Sequence, residues 1–247
     1  MIRILVLVLA LLQPIASYLS TIGNARFMDQ ASNPLITPAG YAFSIWGVIT
    51  FGSLLYAIYQ VLPKRRNREL YDRIAPYAAG LFAGFSIWLF AAEKDWLWAT
   101  VVIFTGMGYF LYRLYPHILA AVREKKLSLA ETVVTYGTFG LYAGWTTIAI
   151  FANIAAALKF SGVSDTDGAG ILWQAGILVL AAMTAIALLL RTKGSLPYAA
   201  AMLWGFVAIV VGTLERGPVA LPLTGLAAAA SLALLGAYVY ARTTRKP

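Results

Sequence analysis

The residue types that carry most enzyme chemistry are scarce in this chain. It has no cysteine and one histidine, His117, which excludes thiolate nucleophiles, disulfides, thiolate-bound zinc and multi-histidine metal sites. Its acids and bases fall between long uncharged runs. Within those runs there is no acid, base or activated nucleophile, which argues against hydrolase chemistry and against ion-coupled transport; the latter keeps charge at depth despite a cost of at least about 2.5–3.5 kcal/mol per residue. The expectation is a protein with no catalytic residue and no metal ligand, not an enzyme. What the runs do offer is aromatic rings and a few neutral polar groups. Trp145, Ala149 and Asn153 are spaced i, i+4, i+8 and share one helix face. Trp46 lies about 12 Å of helix beyond Pro38. Such a lining suits a flat hydrophobic ligand.

The elements that must position these residues follow from composition. Of 247 residues, 61% are hydrophobic and 12% charged, and mean hydropathy is +0.77, about half the charge of an ordinary soluble domain. Uncharged windows run over 4–25, 30–63, 74–92, 96–112, 132–158, 168–190, 194–214 and 217–241. Each is near or above the roughly 20 residues that a helix needs to cross about 30 Å of hydrocarbon, and each is too long for a barrel strand. The fold class is therefore all-α, a polytopic membrane bundle of about eight transmembrane helices. Met1 to Ser20 shares a basic start and apolar centre with signal peptides, but no small-x-small cleavage site follows, so it is read as a span. Pro14 is expected to kink it, while Pro38, Pro197 and Pro218 fall near helix starts, where a missing N–H costs little.

Placing the N-terminus in the cytoplasm puts 15 of the 19 Lys and Arg inside, leaving Arg26, Lys94, Lys159 and Arg216 outside, a strong positive-inside bias for both termini cytoplasmic. The formal charge of +9 thus points to membrane lipids rather than nucleic acid. The expected location is a bacterial cytoplasmic (inner) membrane. Residues 161–170 (SGVSDTDGAG) form the natural boundary, with five of the seven Trp before it, and no four-plus-four internal repeat is evident.

Three segments carry a family resemblance. Residues 33–47 (NPLITPAGYAFSIWG) are a proline-containing loop leading into a helix with a Trp two turns down; 85–90 (FSIWLF) and 93–101 (EKDWLWATV) form a helix end and the next helix start; and 140–145 (GLYAGW) leads to Ala149 and Asn153. Together they resemble the tryptophan-rich sensory protein, or translocator protein, family (TspO/MBR). The resemblance implies a five-helix core over 1–160, with 161–247 as a three-helix C-terminal extension. It also implies a cavity, opening at the first-loop end, for porphyrins, other tetrapyrroles or sterol-like molecules. Carried over to this chain, the ligand-binding set is Pro38, Tyr41, Trp46, Trp88, Tyr142, Trp145, Ala149 and Asn153. Trp46 and Trp145 would be the aromatic walls, Pro38 would shape the rim, and Ala149 would leave room beside Trp145. The chain departs from the family in its first loop, where Phe27 is the only aromatic residue of 21–37, and near Ala83 and Gly84, where an Asn is usual.

The function implied is a sensor, carrier or regulator that needs no cofactor and takes a porphyrin or related tetrapyrrole as ligand. The alternative is an accessory subunit of a larger membrane complex, such as a photosynthetic or respiratory one; a secondary transporter fits the helix count but lacks intramembrane charge. Trp46 and Trp145 also have a plainer reading as interhelical packing, and Asn153 serves packing or ligand equally. Trp96, Trp98 and Trp173 read as an interfacial belt, and His117 as an interfacial histidine. Gly80/Gly84 and Gly140/Gly144 have GxxxG spacing. Internal helix packing explains both pairs at least as well as a dimer seam; the resemblance implies the Gly80/Gly84 face for a homodimer, with partner membrane subunits as the alternative association.

Overall fold

Long apolar runs in a lipid solvent must satisfy their backbone internally, and helices do so. The computed structural model describes residues 1–22, 33–62 and 68–244. Part of the charge map (Arg26, Asp29, Lys64, Arg65, Arg66, Arg245 and Lys246), together with Phe27, lies outside the described residues. Among the described residues, eight helices are long and apolar enough to cross a membrane. They are α1 (Ile2–Ile22), α2 (Ile45–Val61), α3 (Arg68–Glu93), α4 (Leu97–Arg123), α5 (Thr138–Phe160), α6 (Gly168–Arg191), α7 (Leu196–Glu215) and α8 (Leu221–Thr243). The polytopic helical bundle is the observed architecture.

Helix α1 runs on through Pro14, and α3 and α4 likewise contain Pro76 and Pro116. Pro197 and Pro218 stand in the first positions of their helical segments, where no N–H is missed. Windows drawn between charges miss the true ends: α4 continues ten residues past Arg113, to Arg123. The reason is snorkelling. The Arg113 guanidinium donates to the Tyr109 hydroxyl at 2.7 Å and lies 5.3 Å from the Tyr77 ring centroid, so the charge is accommodated on the helix.

The chain divides into two compact units: Met1–Ala25 with Ser44–Ala143, and Arg26–Phe43 with Gly144–Pro247. The turn at 161–170 lies inside the second unit.

In the first unit α1 packs on α2 and α3, and α3 on α4. The buried face of α1 is Val6, Ala10, Gln13 and Ser20, at helical spacing, while Ile4, Leu5, Val8, Leu11 and Ile15 are exposed, as lipid-facing residues should be. A Cβ on Gly80 would meet the Phe110 ring at 2.6 Å, and one on Gly84 would meet Met107 at 2.7 Å. The Gly80/Gly84 face therefore admits α4 of the same chain, the close approach that small residues give in membranes.

The fifth span begins unusually. Ser128 caps a single turn, Leu129–Glu131, in a reciprocal capping box with Glu131, and a π-helical segment, Thr132–Gly137, follows before α5. Glu131 is only 2% exposed. This corrects the expectation that no charged residue is buried in the spans: the acid borders the uncharged window by one residue, and capping draws it inward. Its Oε1 accepts from the Tyr71 hydroxyl and its Oε2 from the Ser128 N–H, both at 2.9 Å. Nearby in chain contacts, Arg3 pairs with Asp72 at 2.7 Å, donates to the Gln60 carbonyl at 3.1 Å and lies 5.8 Å from the Tyr71 ring centroid.

In the second unit α8 packs on α6 and α7. Helix α7 meets α5 through glycines, since a Cβ on Gly144 would come within 2.5 Å of the Tyr198 carbonyl and one on Gly205 would strike Ile148. The Tyr198 hydroxyl donates to Thr147 Oγ1 at 3.3 Å.

Candidate functional site

The proline-containing segment 33–43 belongs to the second unit, and its polar groups are met by the later helices. The Ala39 N–H donates to the Ala208 carbonyl of α7 at 2.9 Å. The Ile36 N–H donates to Gln174 Oε1 of α6 at 3.3 Å, and Gln174 Nε2 in turn donates to the carbonyls of Asp165 and Gly170. The indole N–H of Trp204 donates to the Ala42 carbonyl at 3.0 Å. Two cations converge on the Asn33 carbonyl: Lys159 Nζ at 2.9 Å and Arg216 Nη1 at 2.8 Å, with Lys159 also paired to Asp165 at 2.6 Å. Burial pulls the Arg216 guanidinium below its ordinary value, partly offset by Asp165 and Glu215. The segment is held by at least five hydrogen-bonding links, so its conformation is a property of the whole second unit.

On that frame Pro38 is buried, and Tyr41, 45% exposed, presents its ring edge-on to Trp204 at 5.2 Å. Phe43 lies edge-on to Trp145 at 6.0 Å. Trp145 and Ala149 are buried on α5. Asn153 spends an amide hydrogen locally, donating from Nδ2 to the Ala149 carbonyl at 2.7 Å. Five of the eight expected site residues thus belong to the second unit: Pro38, Tyr41, Trp145, Ala149 and Asn153.

The other three, Trp46, Trp88 and Tyr142, come together in the first unit. The Trp46 ring is 5.5 Å from Trp88, tilted by 33°, and 5.6 Å from Tyr142, edge-on. Two residues that sequence reasoning missed complete the cluster: Phe85 at 4.7 Å and Phe104 at 6.3 Å from Trp46. Phe85 stands three residues before Trp88, a helical spacing that could have flagged it; Phe104, on another helix, had no local signal. All five rings are buried. Offset and edge-on contacts of this kind contribute about 0.5–1.5 kcal/mol per pair beyond area burial. The Tyr142 hydroxyl is buried without a hydrogen-bond partner among the described residues, a polar handle inside an apolar cluster.

Comparison with known proteins decides the family. The family described as TSPO-like protein matches residues 2–240. The chain belongs to this family. The match runs through α8, so the last three helices are part of what is shared across the TSPO-like family. No curated protein and no solved structure matches the chain. With eight apolar helices, this TSPO-like protein is an integral membrane protein with a buried aromatic cluster. Trp96 and Trp98 are exposed at the start of α4, apart from that cluster.

Proposed function

We propose that this TSPO-like protein binds a planar hydrophobic ligand, a porphyrin or other tetrapyrrole or a sterol-like molecule, and acts as a sensor, carrier or regulator without chemical turnover. The observation that carries the reading is the ring cluster around Trp46, in which Phe85, Trp88, Phe104 and Tyr142 all contact one indole. A flat conjugated ligand replaces such ring contacts with equivalent ones, so the exchange costs little dispersion energy while removing the ligand from water. Tyr142 offers a hydroxyl to the polar edge of the ligand.

The charge distribution supports a cytoplasmic membrane location with both termini inside, since 15 of 19 basic residues fall on that side. The exposed apolar faces of the helices suit contact with membrane lipids. The test is an equilibrium titration of the detergent-purified chain with protoporphyrin, read by quenching of Trp fluorescence. Saturable quenching in the micromolar range supports the proposal; quenching without saturation overturns it.

A further inference from the structure

The first unit has a cavity of about 430 Å³ between the start of α3 and the end of α4, within the range of roughly 300–1,000 Å³ typical of small-molecule sites. Leu70 and Ala121 give it apolar lining, and Glu69, Arg73, His117, Glu124 and Lys126 give it polar and charged groups. Glu69 and Arg73 stand in the first turns of α3, His117 near the end of α4, and Glu124 and Lys126 in the turn beyond. Glu69, Arg73, Glu124 and Lys126 lie at helix ends and His117 in the last two turns of α4, and charged helix ends are where a spanning bundle meets headgroups.

The wall charges come as two pairs: Arg73 Nη2 to Glu69 Oε1 at 2.9 Å and Lys126 Nζ to Glu124 Oε2 at 2.5 Å, each with side chains more than half exposed. Such exposed pairs are worth about 0–1 kcal/mol, so a ligand bearing both signs can replace each partner at little cost. An anionic headgroup alone would meet two carboxylates, and a cation alone would meet a guanidinium and an ammonium. A zwitterion satisfies both, with a phosphate on Arg73, Lys126 and His117 and a cationic group on Glu69 and Glu124. Carboxylates gain from N–H donors, which a primary ammonium has and a quaternary one lacks. Leu70 and Ala121 offer apolar contact to the glycerol end and first methylenes of a lipid.

We propose that this cavity binds the headgroup of a phosphatidylethanolamine-type lipid, with Arg73 and Lys126 on the phosphate and Glu69 and Glu124 on the ammonium. The site is separate from the aromatic cluster, and its failure leaves the tetrapyrrole reading untouched.

The experiment is native mass spectrometry of the full chain in detergent with equimolar phosphatidylethanolamine, phosphatidylcholine and phosphatidylglycerol. The expected result is one retained phosphatidylethanolamine, at least tenfold over either competitor. Glu69→Gln with Glu124→Gln should equalise phosphatidylethanolamine and phosphatidylcholine while retaining both; Arg73→Gln with Lys126→Gln should release both. These side chains are exposed, so the variants should keep the wild-type helical circular dichroism. Soluble O-phosphoethanolamine should displace the lipid only at millimolar concentration. Equal retention of the three lipids, a preference for phosphatidylglycerol, selectivity unmoved by both double variants, or soluble O-phosphoethanolamine binding as tightly as the lipid would each overturn the proposal.

Discussion

The N–H of Ala39 reaches the carbonyl of Ala208 at 2.9 Å, tying the loop ahead of α2 to the middle of α7. The contact exists because Gly212, one turn further on, has no side chain. A Cβ there would lie 2.6 Å from the Thr37 carbonyl oxygen and 2.9 Å from the Ala39 nitrogen, and backbone cannot step aside as a flexible side chain can.

Gly212→Ala should therefore destabilise the protein by about 1–3 kcal/mol, the cost of overpacking a fitted site. Gly176→Ala and Gly225→Ala, whose added Cβ would meet nothing within 4 Å, should be neutral or stabilising by up to about 1 kcal/mol through helix propensity. Thermal unfolding in detergent compares the three. Equal midpoints would mean that the loop is not seated on α7.

The hydrogen bond from Tyr71 to Glu131 makes a second prediction. Tyr71→Phe removes that donor from a buried carboxylate, and bonds to charged groups are worth about 1.5–3 kcal/mol. Tyr240→Phe, at an exposed position, should stay within about 0.5 kcal/mol of wild type. Denaturant unfolding distinguishes them; a Tyr71→Phe variant as stable as wild type would show that the carboxylate does not rely on this hydroxyl.

At the basic end, the bond and charge of Lys126 hold the Glu124 carboxyl below its ordinary value of 4.5. A depressed carboxyl pKa stabilises the folded state above the ordinary value, and that contribution is lost as pH falls through the lower, folded-state value. Lys126→Met should move the Glu124 midpoint back up, and molar salt should do the same in the unmutated chain, because both side chains are more than half exposed. Carbon-detected NMR titration of the glutamate carboxyls reads the midpoint; one unchanged by Lys126→Met would refute the pairing.

The helices were legible because lipid solvation writes itself into composition: an apolar run of about 20 residues has few other uses. Their ends were less so. Arg113 closed a window in the sequence yet sits within α4, because two tyrosines receive its guanidinium. The rings of the candidate site could be named by type, but their grouping depends on contacts between distant segments, and Phe104 beside Trp46 leaves no periodic trace. The docking of the loop was hidden for the same reason, since Ala39 and Ala208 are far apart in sequence and the key residue is a glycine. Gln174 was the available clue. A lone amide in an otherwise apolar span needs partners, and it finds them in Ile36, Asp165 and Gly170.

The central claim is that a planar ligand stacks on the Trp46 cluster. The most direct measurement is the protoporphyrin titration repeated on Trp46→Phe, Trp88→Phe and, as an exposed control, Trp98→Phe. Micromolar saturable binding is expected, weakened at least tenfold, or about 1.4 kcal/mol, in Trp46→Phe and Trp88→Phe and unchanged in Trp98→Phe. Binding untouched by the first two substitutions, or no saturable binding in the unmutated chain, would contradict it.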